Sequence, residues 1–321
     1  MEAESSLWVN QTIDVTVSPV NDAPELTAPA TVNAEEDTPL LIESIQVKDV
    51  DASEQAGNAV TVRLSAIDGV IGLPSTTPLP PGVTVTGQDS GTMILNGTLD
   101  DINAVLSGGV TYLGDTNFSG QDTVTVVVND NGSTGSGGAL RDTASITVNV
   151  APKPDIPTLT LNAAQTAAAA GSISALIPLL GLAAALTDPS ETLSVEIRNI
   201  PAGLTFTDAD GAAMGTGPVN GVLTLTADEL SQLHVTGSAV LSQQVEVVAI
   251  SETSTGETAE SVPVSLQIDV VDPATGAVEA SDLAVANVVA SGAESAALNG
   301  GAGDDLLIGG LGGYPYRRRW R

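Results

Sequence analysis

Cysteine is absent from this chain of 321 residues, so neither a disulfide framework nor a thiolate metal site is available to it. Small extracellular β modules without disulfides need another source of stability, and calcium is one such source. Aromatic residues make up only 2% of the chain, so a hydrophobic core must be built from Val, Ile, Leu and Ala. The single histidine, His234, is expected to be an ordinary structural residue, because there is no second histidine for a zinc site.

Basic residues are scarce as well: nine Lys and Arg stand against 39 Asp and Glu, for a formal charge of -30. Four of the nine lie in the last five positions, at Arg317, Arg318, Arg319 and Arg321. Such an acidic body repels nucleic acid and anionic lipid and attracts cations. Solubility in a salty medium would also explain the charge, but the acids cluster at the predicted domain boundaries. That clustering favours bound cations over plain solubility as the reason for the charge, and no nucleic-acid partner is expected.

No segment has the pattern of a signal peptide or of a clear membrane span. The chain starts with an acidic segment, Met1-Glu2-Ala3-Glu4, and no hydrophobic region follows it. The apolar stretch 167–186 has the length of a span, but it is interrupted by Pro178 and Gly181 and lacks basic flanks. A buried strand pair or a short helix is therefore the favoured interpretation, and the chain is not expected to span a membrane.

Three phrases occur once in each half of the sequence. They are an acidic phrase (51–54 and 188–191), a helix-like phrase (95–106 and 223–233) and a closing strand with alternating polarity (146–150 and 266–270). Self-similarity at this spacing indicates tandem domains rather than one enzyme fold.

The predicted boundaries follow from two proline-rich linkers, 19–24 and 151–157, whose composition is that of stiff connectors. We expect the last strand of a preceding repeat in 1–20, one repeat in 21–152, a second in 153–272, a linker in 273–299, the start of a different repeat in 300–313 and an aberrant tail in 314–321.

Alternating runs such as 60–67, 124–128 and 262–270, separated by Gly, Pro and Asn clusters, predict many short strands. Pro263 indicates that the last of these strands begins at a sheet edge. The pairs Thr98 with Asp101 and Thr226 with Glu229 each predict the start of one short helix. The predicted fold class is all-β, with tandem β-sandwich domains joined by short stiff linkers and a largely disordered C-terminal segment.

Calcium binds six to eight oxygen atoms from carboxylates, Asn side chains and backbone carbonyls. If 49–51 is extended, Asp49 and Asp51 point the same way and can share one ion. Each acidic cluster alone is typical of a solvated surface, and only their joint presence suggests a site. The candidate ligands in the first domain are Asn21, Asp22, Glu36, Asp49, Asp51, Asn129 and Asp130.

Several of these motifs resemble known ones. The segment 20–24 (VNDAP) resembles the linker motif of cadherin-like domains, 49–51 (DVD) their DxD element, and 36–38 (EDT) the early acidic element of bacterial versions. Tyr112 and the run 117–130 resemble the closing half of such a repeat. Together they resemble the tandem cadherin-like or Ig-like repeats of large bacterial adhesins secreted by a type I system. This resemblance implies β-sandwiches with calcium ions at the linkers.

The second domain departs from that pattern. Its linker carries Pro154-Asp155-Ile156-Pro157, and Asp188-Pro189 stands where the family has DxD. Asp188 and Glu191 remain its candidate calcium ligands, and proline rigidity is the alternative to a bound ion.

A third motif lies at 300–308, where GGAGDDLLI matches the pattern GGxGxDxUx of the calcium-binding nonapeptide of RTX proteins. The resemblance implies that Asp305 supplies a carboxylate to an ion held between successive turns. The next repeat fails at Gly313, and the basic, aromatic tail after it is interpreted as a possible reading-frame shift.

The expected function is that of a non-enzymatic, calcium-stiffened extender segment of a secreted bacterial cell-surface adhesin. Its expected partners are calcium ions, neighbouring repeats of a longer chain and a cell-surface ligand. One alternative is a module that itself binds a glycan or peptide, although aromatic residues for sugar stacking are few. The other is a fragment of an RTX-type secreted enzyme, although neither HExxH nor GxSxG occurs in the sequence.

Overall fold

The computed structural model divides into two compact units, Met1–Pro152 and Lys153–Arg321. This division falls in the second proline-rich linker, where the sequence places a domain boundary. The structure describes residues 11–54, 59–132, 135–161, 182–208, 210–237 and 241–271, together with the short strands 167–170, 177–178, 277–279, 288–290, 297–299 and 306–308.

The first unit consists of eleven described strands and two short helices. The strands are β1 (Glu25–Thr27), β2 (Thr31–Glu35), β3 (Leu40–Ile42), β4 (Gln46–Lys48), β5 (Ala59–Ser65), β6 (Gly69–Gly72), β7 (Thr84–Thr86), β8 (Thr92–Thr98), β9 (Val110–Gly114), β10 (Gly120–Asn129) and β11 (Arg141–Ala151). The helices are α1 (Val50–Glu54) and α2 (Leu99–Leu106).

These strands form one large and two small sheets. The large sheet has the order β2-β11-β10-β5-β8-β7, and the small ones have the orders β3-β9-β6 and β1-β4. All pairs are antiparallel except β2 with β11, which run parallel. One aliphatic core collects buried side chains from the large sheet, the small sheets and α2. The first unit is therefore a β-sandwich.

Strand β10 shows how the sequence produces this packing. Val124, Val126 and Val128 are completely buried, whereas Thr125 and Val127 between them are half-buried. The alternation follows from the two-residue period of a strand, which turns successive side chains to opposite faces. Each fully buried valine stabilises the fold by about 1.5–3 kcal/mol relative to an exposed one.

The second unit consists of sixteen described strands and one helix, α3 (Ala227–Ser231). The strands are β12 (Thr158–Leu161), β13 (Ala167–Ala170), β14 (Ile177–Pro178), β15 (Leu182–Ala185), β16 (Thr192–Arg198), β17 (Leu204–Thr207), β18 (Thr216–Val219), β19 (Val222–Thr226), β20 (His234–Gly237), β21 (Leu241–Glu252), β22 (Thr258–Glu260), β23 (Val264–Val271), β24 (Ala277–Glu279), β25 (Val288–Ala290), β26 (Ala297–Asn299) and β27 (Leu306–Ile308).

The topology of the second unit repeats that of the first. Its main sheet contains the order β13-β23-β21-β16-β19-β18, and β13 runs parallel to β23 as β2 does to β11. The small sheets β14-β20-β17 and β12-β15 match β3-β9-β6 and β1-β4. Helix α3 follows β19 as α2 follows β8. The predicted tandem all-β sandwich fold is thereby confirmed, with β22 and β24–β27 as additions to the second unit.

The two predicted helix starts are confirmed as well. The Thr98 hydroxyl caps α2 by accepting a hydrogen bond from the amide of Asp101 at 3.3 Å. In α3, Thr226 and Glu229 form a reciprocal capping box, in which the Glu229 carboxylate also accepts from the Thr226 amide at 2.8 Å. These hydrogen bonds lower the pKa of Glu229. The caps satisfy amide groups that a short helix leaves unpaired.

Two alternating segments differ from their predicted structure. Val262 belongs to the alternating run 262–270 that predicts the last strand, but it is 82% exposed and precedes β23, which begins at Val264 after Pro263. In 11–19 the alternation forms no strand, and Ile13, Val15 and Val17 are exposed. An alternating segment becomes a strand only where a neighbouring strand pairs with it, and no strand lies beside 11–19 among the described residues.

The apolar stretch 167–186 contributes strands where it is described, namely β13, β14 and β15. This agrees with the strand interpretation of that segment. No helix in the described part of the chain combines the length and apolarity needed to cross a bilayer.

A buried carboxylate, Asp122, anchors the interior of the first unit. It is 2% exposed and accepts hydrogen bonds from the amides of Ile67 and Asp68, both at 3.2 Å, and from the Tyr112 hydroxyl at 2.9 Å. The pKa of Tyr112 is raised above its ordinary value, mainly by burial and to a lesser extent by the hydrogen bond to Asp122. Tyr112 is itself completely buried, so this pair ties β9 to β10 within the core.

We expect Tyr112→Phe to lower the free energy of unfolding by about 1–2 kcal/mol, because Asp122 loses a donor that buried surroundings cannot replace. Urea denaturation of the chain measures the change. Ser107→Ala is the control, since it removes an exposed hydroxyl hydrogen bond of 2.7 Å. Equal unfolding midpoints for the two variants would show that the buried Tyr112 hydroxyl contributes no more to stability than the exposed Ser107 hydroxyl.

Candidate functional site

The candidate site lies where the chain enters the first sandwich. The entering segment 19–22 runs beside the loop that follows β10. The Asn21 amide donates to the Ser136 carbonyl and the Ser136 amide donates to the Pro19 carbonyl, both at 3.0 Å. Val20 and Ser136 form a parallel bridge. This loop, which is rich in Gly and Ser, therefore holds the entering segment, and we call the arrangement the clasp (19–22 with 130–140).

The side chain of Asn21 extends the clasp into the interior. Its Nδ2 donates to Asp130 Oδ2 at 2.6 Å and to the Gly138 carbonyl at 3.0 Å. The other carboxylate oxygen of Asp130 accepts from the amides of Gly132 and Leu140 at 2.9 and 2.8 Å. Asn21 and Asp130 are 6% and 5% exposed. A buried carboxylate is thus stabilised by N–H donors without a cationic side chain.

Gly135 is required for this close approach. Its φ is 72°, and a Cβ there would lie 2.8 Å from the Asn21 nitrogen and 2.9 Å from the Pro19 carbonyl carbon. Both the backbone conformation and the lack of space exclude a side chain.

Asp51 lies beside the entering segment, and Asp49 stands two residues before Asp51 in the chain. Asp51 accepts a hydrogen bond from the Asp22 amide, and Asp49 accepts one from the Ala52 amide at 2.9 Å. Both are buried, at 7% and 8% exposure. The second carboxylate oxygen of Asp49 is buried without a hydrogen-bond partner among the described residues. A carboxylate oxygen of this kind is suited to a cation.

The premise that 49–51 is extended was wrong. Residues Val50–Glu54 form the helical turn α1. Asp49 precedes this turn and accepts from its third residue, so the two carboxylates have separate backbone partners.

Two other predicted ligands lie elsewhere in the first unit. Asn129 is on the face of β10 opposite Asp130, because successive strand residues alternate, and its side chain accepts from the Asn131 amide at 3.0 Å. Glu36 follows β2, and its amide donates to the carbonyl of Ala151 at the end of β11. Neither residue therefore joins the clasp.

Glu36 lies at the other end of the sandwich from Asp130. The register pairs Asn129 with Arg141 at the start of β11, whereas Ala151 ends the same strand. Ten residues of strand span roughly 30 Å. Glu36 is 2% exposed, so it forms a second buried acidic position at the end of the unit from which the chain leaves.

The second unit holds its entering segment in a similar way. The Asp155 amide donates to Glu191 Oε1 at 2.9 Å, and the Ser251 hydroxyl donates to the Asp155 carbonyl. Asp188 accepts from both the amide and the hydroxyl of Ser190, with the amide at 2.8 Å. Asp188 and Glu191 are 1% and 7% exposed. The predicted candidates of the second unit are thus brought to its entry as well.

The hydrogen bonds define which residues correspond between the units. Glu191 takes the position of Asp51, because each accepts the amide of the aspartate in its linker. The repeated acidic phrase instead aligned Asp188 with Asp51, and that pairing is wrong. Thr253 follows β21 as Asp130 follows β10, and its hydroxyl accepts from the amides of its own loop at 3.2 and 3.3 Å. The second unit therefore has a hydroxyl where the first has a carboxylate.

The described residues contain no group of three or more Asp, Glu or His side chains arranged as a metal site. The carboxylates of the clasp instead occur singly or in contact with amides. Glu191 Oε2, like Asp49 Oδ2, is buried without a hydrogen-bond partner in the described structure. Asp305 of the nonapeptide lies outside the described residues.

Sequence reasoning missed two contacts of the entry regions. Asp142 accepts from the Leu26 amide at 2.8 Å and so fixes β1 against β11. Ser251, completely buried, contacts Asp155 although it lies 96 residues away in sequence. A usable signal did exist for the inward acids, because Asp122 and Asp130 occupy the same strand phase as the buried valines of β10.

The remaining candidates have ordinary surroundings. His234 is half-buried, with Nδ1 at 3.0 Å from the Gln232 carbonyl. Of the aromatic residues that the structure describes, Tyr112 and Phe206 are buried and Phe118 is half-buried. The described surface thus offers no aromatic platform for a sugar ring.

Comparison with known proteins gives two kinds of similarity. A family model described as the Protein GAMETE EXPRESSED 2 domain matches residues 50–136. Among solved structures, mouse cadherin-23 EC22-24 is 15% identical over 78% of this chain and 67% of that chain, with a TM-score of 0.37. Human protocadherin-24 EC1-2 is 16% identical over 78% and 100%, with a TM-score of 0.34. Drosophila N-cadherin EC1-4 is 15% identical over 78% and 50%, with a TM-score of 0.30. No curated protein sequence matches.

We expect Asn21→Asp to lower the free energy of unfolding of the first unit by about 1–3 kcal/mol, because it replaces a buried donor with a second carboxylate against Asp130. Chemical denaturation at low salt measures the loss. Asn129→Asp adds the same charge on the outer face of β10 and is the matched control. If both variants unfold at the same denaturant concentration, the clasp does not depend on the Asn21 side chain.

Proposed function

We propose that this chain is a calcium-stiffened extender segment of a large secreted cell-surface adhesin. The observation that carries the proposal is that the chain enters each sandwich through an aspartate whose amide is held by a buried carboxylate, Asp22 by Asp51 and Asp155 by Glu191. A spacer must fix the direction in which the chain enters each unit. Two units of one topology, each with a fastened entry, suit that purpose.

Calcium is the proposed ligand of the first entry. Asn21, Asp22, Asp49, Asp51 and Asp130 supply the oxygen donors that calcium prefers. Four of these five are carboxylates, and the described ion pairs, both made by Arg198, involve none of them. A divalent cation would provide the missing countercharge and a partner for Asp49 Oδ2. The donor set therefore fits calcium in kind, and binding would use side chains that now contact amides.

The second entry is proposed to depend less on calcium. It offers Asp188 and Glu191, but Thr253 replaces the third carboxylate and Pro154 stands at the position of Asn21. Hydroxyl hydrogen bonds from Ser190 and Ser251 fasten this entry instead. Fewer charged ligands give weaker calcium binding.

The proposal also includes the export route and the kind of longer protein to which this chain belongs. The motif at 20–24 and the nonapeptide at 300–308 support a bacterial adhesin exported by a type I system, with further repeats and a cell-surface ligand as partners. The family-model match at 50–136 instead favours the Protein GAMETE EXPRESSED 2 domain for part of the first unit. Spacing and extension require no catalysis, and the chain is proposed not to be an enzyme.

Calcium should protect the first unit more than the second. At about 1 mM calcium, a site with a dissociation constant of about 0.1 mM adds roughly 1.4 kcal/mol of stability. Hydrogen exchange followed by mass spectrometry, with calcium and with EGTA, resolves the two units within one chain. We expect slower exchange in 19–22 and 130–140 with calcium, and a smaller effect around 155 and 188–191.

Magnesium at the same ionic strength is the control, because it prefers a smaller, strictly octahedral site. The same protection in both units, or none in either, would refute the calcium assignment while leaving the sandwich fold intact.

Asp51→Asn should weaken calcium binding about tenfold or more while leaving the ion-free fold nearly unchanged. The amide oxygen can still accept from Asp22, but the ligand charge is lost. Isothermal titration calorimetry measures the affinity and urea denaturation in EGTA measures the fold. Asp100→Asn, on the exposed side of α2, removes the same charge away from the site. Equal affinities for the two variants would exclude Asp51 as a ligand.

A further inference from the structure

The segment 12–24 repeats the sequence of 145–157. Aligned without a gap, the two segments are identical at six of thirteen positions. The shared residues are one isoleucine, two valines, two prolines and the linker aspartate, in the pattern IxVxVxPxxDxP. In the structure, 145–151 is most of β11, the strand that closes the first sandwich.

The two copies differ in their surroundings. Ile146, Val148 and Val150 are 0%, 0% and 5% exposed, because β11 lies between antiparallel β10 and parallel β2. The corresponding residues Ile13, Val15 and Val17 are 82%, 79% and 82% exposed. The same apolar row is thus buried in one copy and open to solvent in the other.

We infer that residues 12–18 are the closing strand of a further β-sandwich unit, and that they dock between an antiparallel penultimate strand and a parallel first strand of that unit. The inference rests on the proposed function, because it identifies the neighbouring repeat as a partner. The second unit supplies an independent precedent, since β23 lies between antiparallel β21 and parallel β13.

Chain order fixes where the partner lies. In 145–157 the strand closes the unit that comes before the linker, and the linker aspartate is then held at the entry of the following unit. Segment 12–24 has the same order, with Asp22 held at the entry of the first unit. The sandwich that 12–18 closes therefore precedes residue 12 in a longer chain.

The register of docking is also defined. Asp14 and Thr16 correspond to Thr147 and Asn149, which are on the outer face of β11. A slip of one residue would turn the three apolar side chains to solvent and the polar ones to the core. The sandwich that 12–18 closes is therefore one whose aliphatic core receives Ile13, Val15 and Val17.

The test is a chain in which a second copy of residues 20–144 is joined directly before Thr12, so that 12–18 replaces 145–151 in the added unit. We expect the amides of 13–18 to exchange at least about tenfold more slowly than in the natural chain. Val15→Asp should lower the unfolding midpoint of the added unit, and it should leave the natural chain unchanged because Val15 is exposed there. Unprotected amides, or no effect of Val15→Asp on the added unit, would overturn the inference.

If the added unit does not fold, a second variant tests whether 12–18 can serve as a closing strand. The natural chain with Ser145→Thr, Thr147→Asp, Asn149→Thr and Ala151→Ser carries the sequence of 12–18 at positions 145–151 of β11. Its unfolding midpoint should stay close to that of the natural chain, whereas the same seven residues shifted by one position should destabilise the unit. Equal destabilisation by both sequences would refute the inference. All measurements are repeated in EGTA, so a failure of calcium binding is distinguished from a failure of strand docking.

Discussion

Both units depend on hydrogen bonds from N–H groups to buried carboxylates. With 39 acidic and nine basic residues, the chain cannot pair most of its acids with cations. It instead surrounds Asp122 with three backbone amides and Asp130 with two, and supplements them with the Tyr112 hydroxyl or the Asn21 side-chain amide. Such hydrogen bonds stabilise the charged form of a carboxylate in a poorly solvated place. The same hydrogen bonds fix the loops whose amides donate them. An acidic chain can therefore still form ordered loops.

The two units solve the same problem with different side chains. Each fastens the amide of its linker aspartate, but Asp51 serves in one and the longer Glu191 in the other. In the first unit Asp130 accepts hydrogen bonds from loop amides, and in the second unit the Thr253 hydroxyl accepts them. A hydroxyl can organise the loop as a carboxylate does, but it carries no charge for a cation. The second unit therefore has the same kind of loop as the first unit but lacks the carboxylate charge.

The sequence allowed the architecture to be predicted more completely than the site. Two-residue alternation and capping pairs are local signals, so β10, α2 and α3 followed directly from them. The position of Asp49 depended on a helical turn of five residues, and so short an element has too little periodicity to be recognised. The contact of Ser251 with Asp155 depends on strand packing across 96 residues, for which one sequence carries no signal.

The alternating segment 11–19 shows a different limit. Its pattern is that of a strand, and the nearly identical pattern in β11 does form one. The difference lies in neighbours, because a strand exists only as a member of a sheet. One segment type therefore carries two roles in fixed succession: its alternating part closes one sandwich and its aspartate fastens the entry of the next. Both roles lie within thirteen residues, so that Ile146, Val148 and Val150 pack in the core of the first unit while Asp155 is held at the entry of the second.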